Sequence, residues 1–499
     1  MEDNLELFRL SLFTTDYKAL STKAKLYFSI MDDEADFKNS IEYFYVLGFN
    51  NNHYLKYSLF SQSDLPIKKV QRFIVSNVFL SYPYSDTLRS HLKSPEYLVE
   101  GYPFIDFSTI HKNSLFSNKP LLFLAAGPSL DSNSKWLQEN KDKFYIVCVL
   151  AAVKTLFKLD IKPDIVVHID DKAISVNFLD GVDKKSFLNK TVFIFSSTVS
   201  INVIESFDKE NIFFFDKSAS YKIDFGFFYS VSVGETGYAI SLLLGAKELY
   251  LLGLDLALDP QTKRSHAEGH MSSSVIDQKE TENYLHLHTS MLEVKGNFLK
   301  VVPTTTTLSL SITYFNDFSD RYLINNQKVY NLGNGAYLKG ATPLKTEDVA
   351  TARFSTLARQ EKFEAIKVFL REISQCGANE KDIKSLEEQL QEALRVKMHV
   401  LKFKKTAPTS NYESYMKTFY ILTTEMINEK STKKYAVNTI FYSYLPIISG
   451  YIFNIFNTKN LKNSKRHLKK IHDIFSEQVI KILDLYIDTM SVYKKWIEK

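Results

Sequence analysis

The chain has 499 residues, 45% hydrophobic and 24% charged, an ordinary composition for a folded protein with room for about two to four domains. Its 62 basic and 57 acidic residues nearly balance, so charge gives no argument for nucleic-acid binding. Two cysteines, Cys148 in an apolar run and Cys376, do not make a disulfide framework, and the opening Met1-Glu2-Asp3-Asn4 lacks a signal-peptide core.

Residues 1–115 read as a small mixed α/β domain. Patchy helical periodicity over 5–13 and 17–31 leads to an apolar run at 41–48, an Asn50-Asn51-Asn52 turn, a helix-like 53–61 and a second apolar run at 70–75. This is a strand–turn–helix–strand unit with asparagine where a dinucleotide site needs glycine, and it reads as structural. His91 and His111 are isolated and read as surface residues. Residues 116–120 form a short linker.

The central domain, 116–345, alternates in αβ fashion. Four large apolar residues from Leu121 run into Ala125, Ala126 and Gly127; Pro128 then stops the strand, and Ser129, Asp131, Ser132 and Ser134 have helix-start character. Further strands are expected at 144–150, 165–169, 191–195, 212–215 and 247–252, with helices at 134–140, 152–159 and 234–244. The pattern predicts a Rossmann-like fold, a mostly parallel sheet covered by helices on both faces. Ligands bind such sheets at the C-terminal strand ends, which carry Ser129, Asp170, Ser196 and Asp255. Gly234 and Thr236, at the head of the 234–244 helix, are expected to line the same crevice. Residues 259–274 read as a polar loop with His266 and His270, 282–291 carries His286 and His288, 301–308 is β-prone, and 329–340 ends the domain as a strand and a glycine-rich turn.

After Pro343 the chain turns helical, with helices expected over 349–373, 381–403, 412–427, 435–456 and 465–497, giving an all-helical C-terminal domain at 346–499. Residues 435–457 carry no charge over the length of a membrane span, yet their asparagines, hydroxyls, Pro446 and Gly450 predict a buried helix pair with a break instead. Lys462, Lys465, Arg466, Lys469 and Lys470 form a basic cluster that reads as a solvated face.

Several residue sets have chemistry to offer. The turn Gly127-Pro128-Ser129-Leu130 suits an anion, held by backbone N–H groups at a helix start and by the Ser129 hydroxyl. It lacks the lysine of a P-loop and the glycine triplet of a dinucleotide fingerprint. Asp170 and Asp171 are adjacent and point to opposite sides of an extended chain, so one faces the site; a divalent metal there is conceivable but not favoured, and no metal ligand is assigned. His266 and His270, four apart, read as metal ligands, as a general base with its neighbour, or as a polar surface loop. Asp255 reads as an orienting or sugar-binding carboxylate, or as a turn cap.

Five blocks together resemble a known family: Ala126-Gly127-Pro128-Ser129-Leu130; Ile161-Lys162-Pro163-Asp164 with Ile169-Asp170; Gly234 through Lys247; Leu252-Gly253-Leu254-Asp255-Leu256-Ala257 with Ser265-His266-Ala267; and Val329-Tyr330-Asn331-Leu332 with Gly335-Ala336. In this order the chain resembles the motility-associated factor (Maf) flagellin glycosyltransferases, with a central domain similar to bacterial sialyltransferases that work without a metal. The resemblance implies transfer of a nonulosonic acid, pseudaminic or legionaminic, from its CMP-activated form to Ser/Thr of flagellin, in the cytoplasm, as a requirement of flagellar assembly and motility. It implies a CMP-sugar donor and flagellin as partners, and no cofactor, nucleic acid or transmembrane segment. Gly127, Pro128, Ser129 and Leu130 would bind the CMP part and stabilise its departing phosphate. Asp170 and Asp255 would line the site, His266 would act as base with Asp255 beside it, and a hydroxyl of Tyr221 or Tyr238 would contact the phosphate. The chain departs from the family at Leu150-Ala151-Ala152, where relatives often carry Thr or Asn, and at Glu235, where they often carry a small residue. Two other classes stay open: a phosphotransferase like the archaeal pterin pyrophosphokinases, and a non-catalytic flagellin-binding assembly factor.

Overall fold

The computed structural model describes residues 5–22, 84–112, 115–217, 220–228, 230–268, 270, 291–427, 435–456 and 462–498. The expected elements at 41–48, 53–61 and 70–75, with the intervening asparagine turn, lie outside the described residues, as do His286 and His288.

Strands β2 (Leu121–Leu124), β3 (Tyr145–Val149), β4 (Ile165–His168), β5 (Val192–Ser196) and β6 (Ile212–Lys217) are almost wholly buried. Continuous apolar runs of this kind belong to strands covered on both faces. They lie side by side in chain order and in parallel, β2 beside β3, then β4, β5 and β6. The chain next returns to the other side of β2, placing β8 (Glu248–Leu252) there, then β11 (Lys328–Asn331) and β12 (Ala341–Pro343), all parallel. Beyond β6 lie β1 (Pro103–Ile105), parallel to it, and β13 (Ser374–Cys376), antiparallel to β1. Short β7 (Phe227–Phe228) also pairs with β6. The change of direction between β2 and β8 is the switch point at which such sheets open a crevice. A separate hairpin is formed by β9 (Met291–Lys295) and β10 (Val301–Thr305). The structure thus has the expected Rossmann-like, mainly parallel sheet, extended by β1 and β13 from outside the predicted run of strands.

The helix Val233–Leu243 crosses β2, β3 and β4. It opens with Ser232-Val233-Gly234-Glu235, in which the Ser232 side chain caps the Glu235 N–H and the Glu235 carboxylate accepts from the Ser232 N–H. Tyr238 stacks on Phe315 of the Thr306–Tyr322 helix at 4.0 Å, and its hydroxyl bonds Ser319. On the sheet's other side, Tyr97 of the Tyr84–Val99 helix stacks on Phe214 of β6 at 4.4 Å. The Ile161-Lys162-Pro163-Asp164 block serves the same architecture. Asp164 accepts from the Ile146 N–H at 2.8 Å and pairs with Lys362 of the Arg359–Glu372 helix at 2.7 Å, both side chains being buried.

The chain divides into two units. One takes the described parts of residues 1–87, 396–428 and 438–482; the other takes 88–395, 429–437 and 483–499 and contains the sheet. The described part of the first unit is helical, around Phe403, Tyr415, Phe419, Tyr444 and Phe475. The helices Glu380–Thr406, Tyr412–Met426 and Ser464–Ile497 follow the expected periodicity. Residues 349–358 instead form turns before the Arg359–Glu372 helix. The expected break at Pro446 and Gly450 is absent, since Ala436–Phe456 is one helix. A proline already has helical φ and forfeits one hydrogen bond. Burial of Val437, Ile440, Phe441, Tyr444, Leu445 and Ile452 offsets that loss. Among the described residues no helix is long and apolar enough to cross a membrane.

Candidate functional site

The turn after β2 and the loop after β8 form one interlocked structure. Gly127 N–H donates to Gly253 O at 2.7 Å. A Cβ on Gly127 would come within 2.3 Å of Asp255 Oδ2 and 2.4 Å of Gly253 O, so only glycine permits this approach. Asp255 is buried, and its carboxylate accepts the Ser129 N–H at 2.9 Å, the Ser129 hydroxyl and the Gly335 N–H. Ser129 Oγ accepts in turn from Asn334 N–H at 2.8 Å. Three strand ends, those of β2, β8 and β11, are therefore tied through one carboxylate. Burial raises the Asp255 pKa, and the Ser129 and Gly335 bonds oppose the rise.

This geometry corrects the expected phosphate cradle. In the 127–130 turn, Gly127 N–H is bonded to Gly253 O, Ser129 N–H to Asp255 and Leu130 N–H to Gly127 O, while Pro128 has no N–H. Asp131 N–H goes to Pro128 O. Every donor that would have met an anion already has a protein acceptor, and the glycine's missing side chain makes room for Asp255, not for a ligand. Asp255, expected to line the site, is a buried tie between loops.

The His266 loop folds over the same turn. Ala267 N–H donates to Ala126 O at 2.8 Å, and Glu268 N–H donates to Asp131 Oδ2 at 2.6 Å. His266 is half-buried; its Nδ1 bonds Ser265 Oγ at 2.8 Å and its ring stacks on His270 with centroids 4.1 Å apart and the ring planes nearly parallel. Burial, reinforced by His266, pushes the His270 pKa down to about 3, so that ring is neutral near neutral pH. The ring of Phe178, on the connection after β4, lies 5.3 Å from that of His270, centroid to centroid. Among the described residues no group of three or more His, Cys, Asp or Glu is placed to hold a metal ion.

Asp170 stands at the end of β4, solvent-exposed yet with protein on several sides, as on a crevice floor. Burial of its surroundings raises its pKa, Lys217 lowers it, and Asp171 raises it. Asp171 accepts from Ser90 Oγ at 2.8 Å. Ser196, expected to bind substrate, is buried, with its hydroxyl shared between Thr198 Oγ1 at 2.8 Å and Ile169 O. Thr236 is buried and donates to Ser230 Oγ at 2.6 Å. Gly234 packs on Leu254, whose Cδ1 a Cβ would meet at 2.7 Å. The hydroxyls of Ser196 and Thr236 are thus engaged within the protein. The hydroxyls of Tyr221 and Tyr238, expected on a phosphate, instead bond His91 O and Ser319 Oγ inside the core.

Two residues here, Lys217 and His168, were not singled out by sequence reasoning, and a third, His91, was placed wrongly. Lys217 ends β6, half-buried, and makes no side-chain hydrogen bond or ion pair among the described residues. Burial lowers its pKa, while Asp170, Asp171 and Glu235 act in the opposite sense. His168, the last residue of β4, is buried with neither ring nitrogen partnered, and His91, expected on the surface, is buried with Nδ1 unpartnered. Burial, with a smaller push from Lys217, lowers their pKa values to about 3 and about 4. A charged pair closing an apolar strand, Asp216-Lys217, was the readable signal, the same that marked Asp170. Glu235, which departs from the expected small residue, is the carboxylate of a capping box, and burial raises its pKa to about 7.

Asp170 and Lys217 thus stand at the C-terminal ends of β4 and β6, the His266 loop lies over the turn after β2, and the 173–179 connection reaches that loop through Phe178.

Comparison with known proteins agrees with this picture of the fold. Residues 96–261 match a family described as MptE-like, 6-hydroxymethylpterin diphosphokinase MptE-like. The whole chain superposes on the structure of a Maf glycosyltransferase from Magnetospirillum magneticum AMB-1, with a TM-score of 0.62 and 15% sequence identity, covering 100% of this chain and 77% of that one. No curated protein matches the sequence. At 15% identity that likeness is one of fold.

Proposed function

We propose that this chain is a glycosyltransferase that moves a nonulosonic acid, such as pseudaminic or legionaminic acid, from its CMP-activated form to Ser/Thr hydroxyls of flagellin in the cytoplasm. The observation that carries the reading is the likeness to a Maf glycosyltransferase over the entire chain, helical parts included. The accessible crevice adds to it, offering a histidine, a carboxylate and a lysine at the ligand-binding edge of the sheet.

The reaction is a direct displacement. The acceptor oxygen attacks the anomeric carbon, the bond from that carbon to the phosphate oxygen of CMP breaks, and the phosphate leaves with the electron pair. His266, its ring oriented by Ser265 and the His270 stack, takes the proton from the acceptor hydroxyl. Asp170 accepts hydrogen bonds from sugar hydroxyls. Asp255 acts at one remove, holding the turn below His266 in place.

Intact-mass analysis of flagellin incubated with the protein and a panel of CMP-sugars tests this. Addition of whole nonulosonic acid residues supports it; unmodified flagellin with every donor, when the donors are intact and flagellin binds, points instead to an assembly factor. The match of residues 96–261 favours a second reading, an ATP-dependent diphosphate transfer to a pterin. Its product would be a pterin diphosphate, visible by mass in the same kind of assay.

A further inference from the structure

We propose that Lys217 is the anion-binding residue of the crevice, its ammonium pairing with the phosphate or carboxylate of a CMP-linked sugar acid. This rests on the transferase reading above and adds to it the group that supplies positive charge. In the turn after β2 the N–H groups of Gly127, Ser129 and Leu130 are all bonded within the protein and do not receive an anion. A sugar-acid nucleotide carries at least two negative charges, and a crevice edged by Asp170 must offset them elsewhere.

Lys217 meets the requirements. It lies at the C-terminal end of β6, two strands from Asp170 at the end of β4, on the edge of the sheet where ligands bind. Three carboxylates influence it, yet none stands within ion-pair distance. Each of those acids is otherwise engaged or displayed to solvent. Asp171 accepts from Ser90 Oγ, Glu235 accepts from the N–H groups of Val231 and Ser232 within its capping box, and Asp170 faces solvent. A half-buried ammonium without a partner among the described residues has lost hydration without an ion pair there in return; a ligand anion supplies the missing half. Behind it, His168 and His91 leave three ring nitrogens unpartnered and remain uncharged near neutral pH, so they keep this wall polar without repelling the lysine. The same arrangement gives the ligand's hydroxyls an acceptor in Asp170, a combination of cation and carboxylate that suits an anion bearing hydroxyl groups.

Calorimetric titration of the full chain with cytidine, CMP, CMP-N-acetylneuraminic acid and pyrophosphate tests the assignment, for the wild type and for Lys217→Met and Lys217→Arg. If the lysine meets the phosphate, Lys217→Met weakens CMP about 10- to 100-fold and leaves cytidine unchanged. If it meets the carboxylate, CMP is unchanged and CMP-N-acetylneuraminic acid weakens by a similar factor. Lys217→Arg retains most of the affinity in either case, and thermal midpoints within about 2 °C of wild type show that the fold is intact. Should the wild type bind none of the cytidine compounds, the transferase reading fails, and pyrophosphate alone decides: loss of its binding in Lys217→Met sustains the anion site. Equal affinity of Lys217→Met and wild type for every ligand that wild type binds, or no anion bound by wild type at all, overturns the proposal.

Discussion

Replacing Asp255 by alanine separates a structural carboxylate from a catalytic one. The substitution leaves two backbone N–H groups, those of Ser129 and Gly335, and the Ser129 hydroxyl without their buried acceptor. An unsatisfied buried donor costs roughly 1–3 kcal/mol, and the hydroxyl can rotate to another acceptor, so the loss should total about 4 kcal/mol. The unfolding entropy is roughly 2.1 cal/mol/K per residue, or about 0.6–0.7 kcal/mol/K for a unit of order 300 residues. The thermal midpoint of the sheet-containing unit should therefore fall by about 6 °C, read by differential scanning fluorimetry together with near-UV circular dichroism. Asp255→Asn should fall less, since it keeps one acceptor while setting an NH2 group against the Ser129 donors. An Asp255→Ala protein that melts within about 1 °C of wild type and yet loses all transfer would refute the reasoning, because it would make the carboxylate a reacting group.

Other substitutions probe the rest of the unit. His168→Leu should raise stability relative to wild type more at pH 5 than at pH 8. The folded-state pKa of His168 is depressed to about 3, so the unfolded chain binds the extra proton between that value and 6.5, and stability is lost as pH falls through that window; an equal difference at both pH values would contradict the assignment. Glu235, raised to about 7, works in the opposite sense, its contribution present at low pH and lost as pH rises from about 4.5 to 7, so Glu235→Gln should remove a stability decline on the alkaline side of that range. Lys362→Met should destabilise by roughly 3–5 kcal/mol, because it leaves the Asp164 carboxylate buried without its cation; denaturant midpoints measure this, and a neutral result would mean that Asp164 is protonated in the fold. His266→Ala should reduce transfer by roughly 10²- to 10⁴-fold while CMP binding persists, and chelating agents should leave transfer unchanged; full transfer by the variant would remove His266 as the base.

Much of the sheet was legible because β2 to β6 are covered on both faces, and strands of that kind write themselves as unbroken apolar runs such as Leu121-Leu122-Phe123-Leu124. Strands β1 and β13 were not, since three residues carry no periodicity and their pairing joins segments some 270 residues apart. Pro446 misled for an energetic reason, as packing outweighed a single lost hydrogen bond. The site was harder. Small residues at a strand end look the same whether they admit a ligand or another loop of the protein; Gly127 admits Asp255, a residue 128 positions later. Glu235 is legible in Ser232-Val233-Gly234-Glu235, a capping-box pattern that a comparison with the family's small residues at this position does not reveal.

The two halves of the crevice therefore do different work. Around β2, β8 and β11 the polar groups satisfy one another: Ser129, Asp255, Asn334 and Gly335 form a closed set of donors and acceptors. A closed set is stiff, because moving any member exposes a buried unpaired group. Around β4 and β6 the set is open: Asp170 faces solvent, Lys217 lacks a counter-ion among the described residues, and three imidazole nitrogens have no partner. Open polar groups beside a stiff scaffold are what a ligand needs, since binding then completes interactions without having to order the protein first. His266 belongs to the stiff half through Ala267 and Glu268, yet its ring reaches the open half through His270 and Phe178. On the proposed reading, that placement lets a base be held by the scaffold and still meet whatever the lysine and the carboxylate hold, so the geometry of the turn matters to the chemistry without the turn itself touching the reacting atoms.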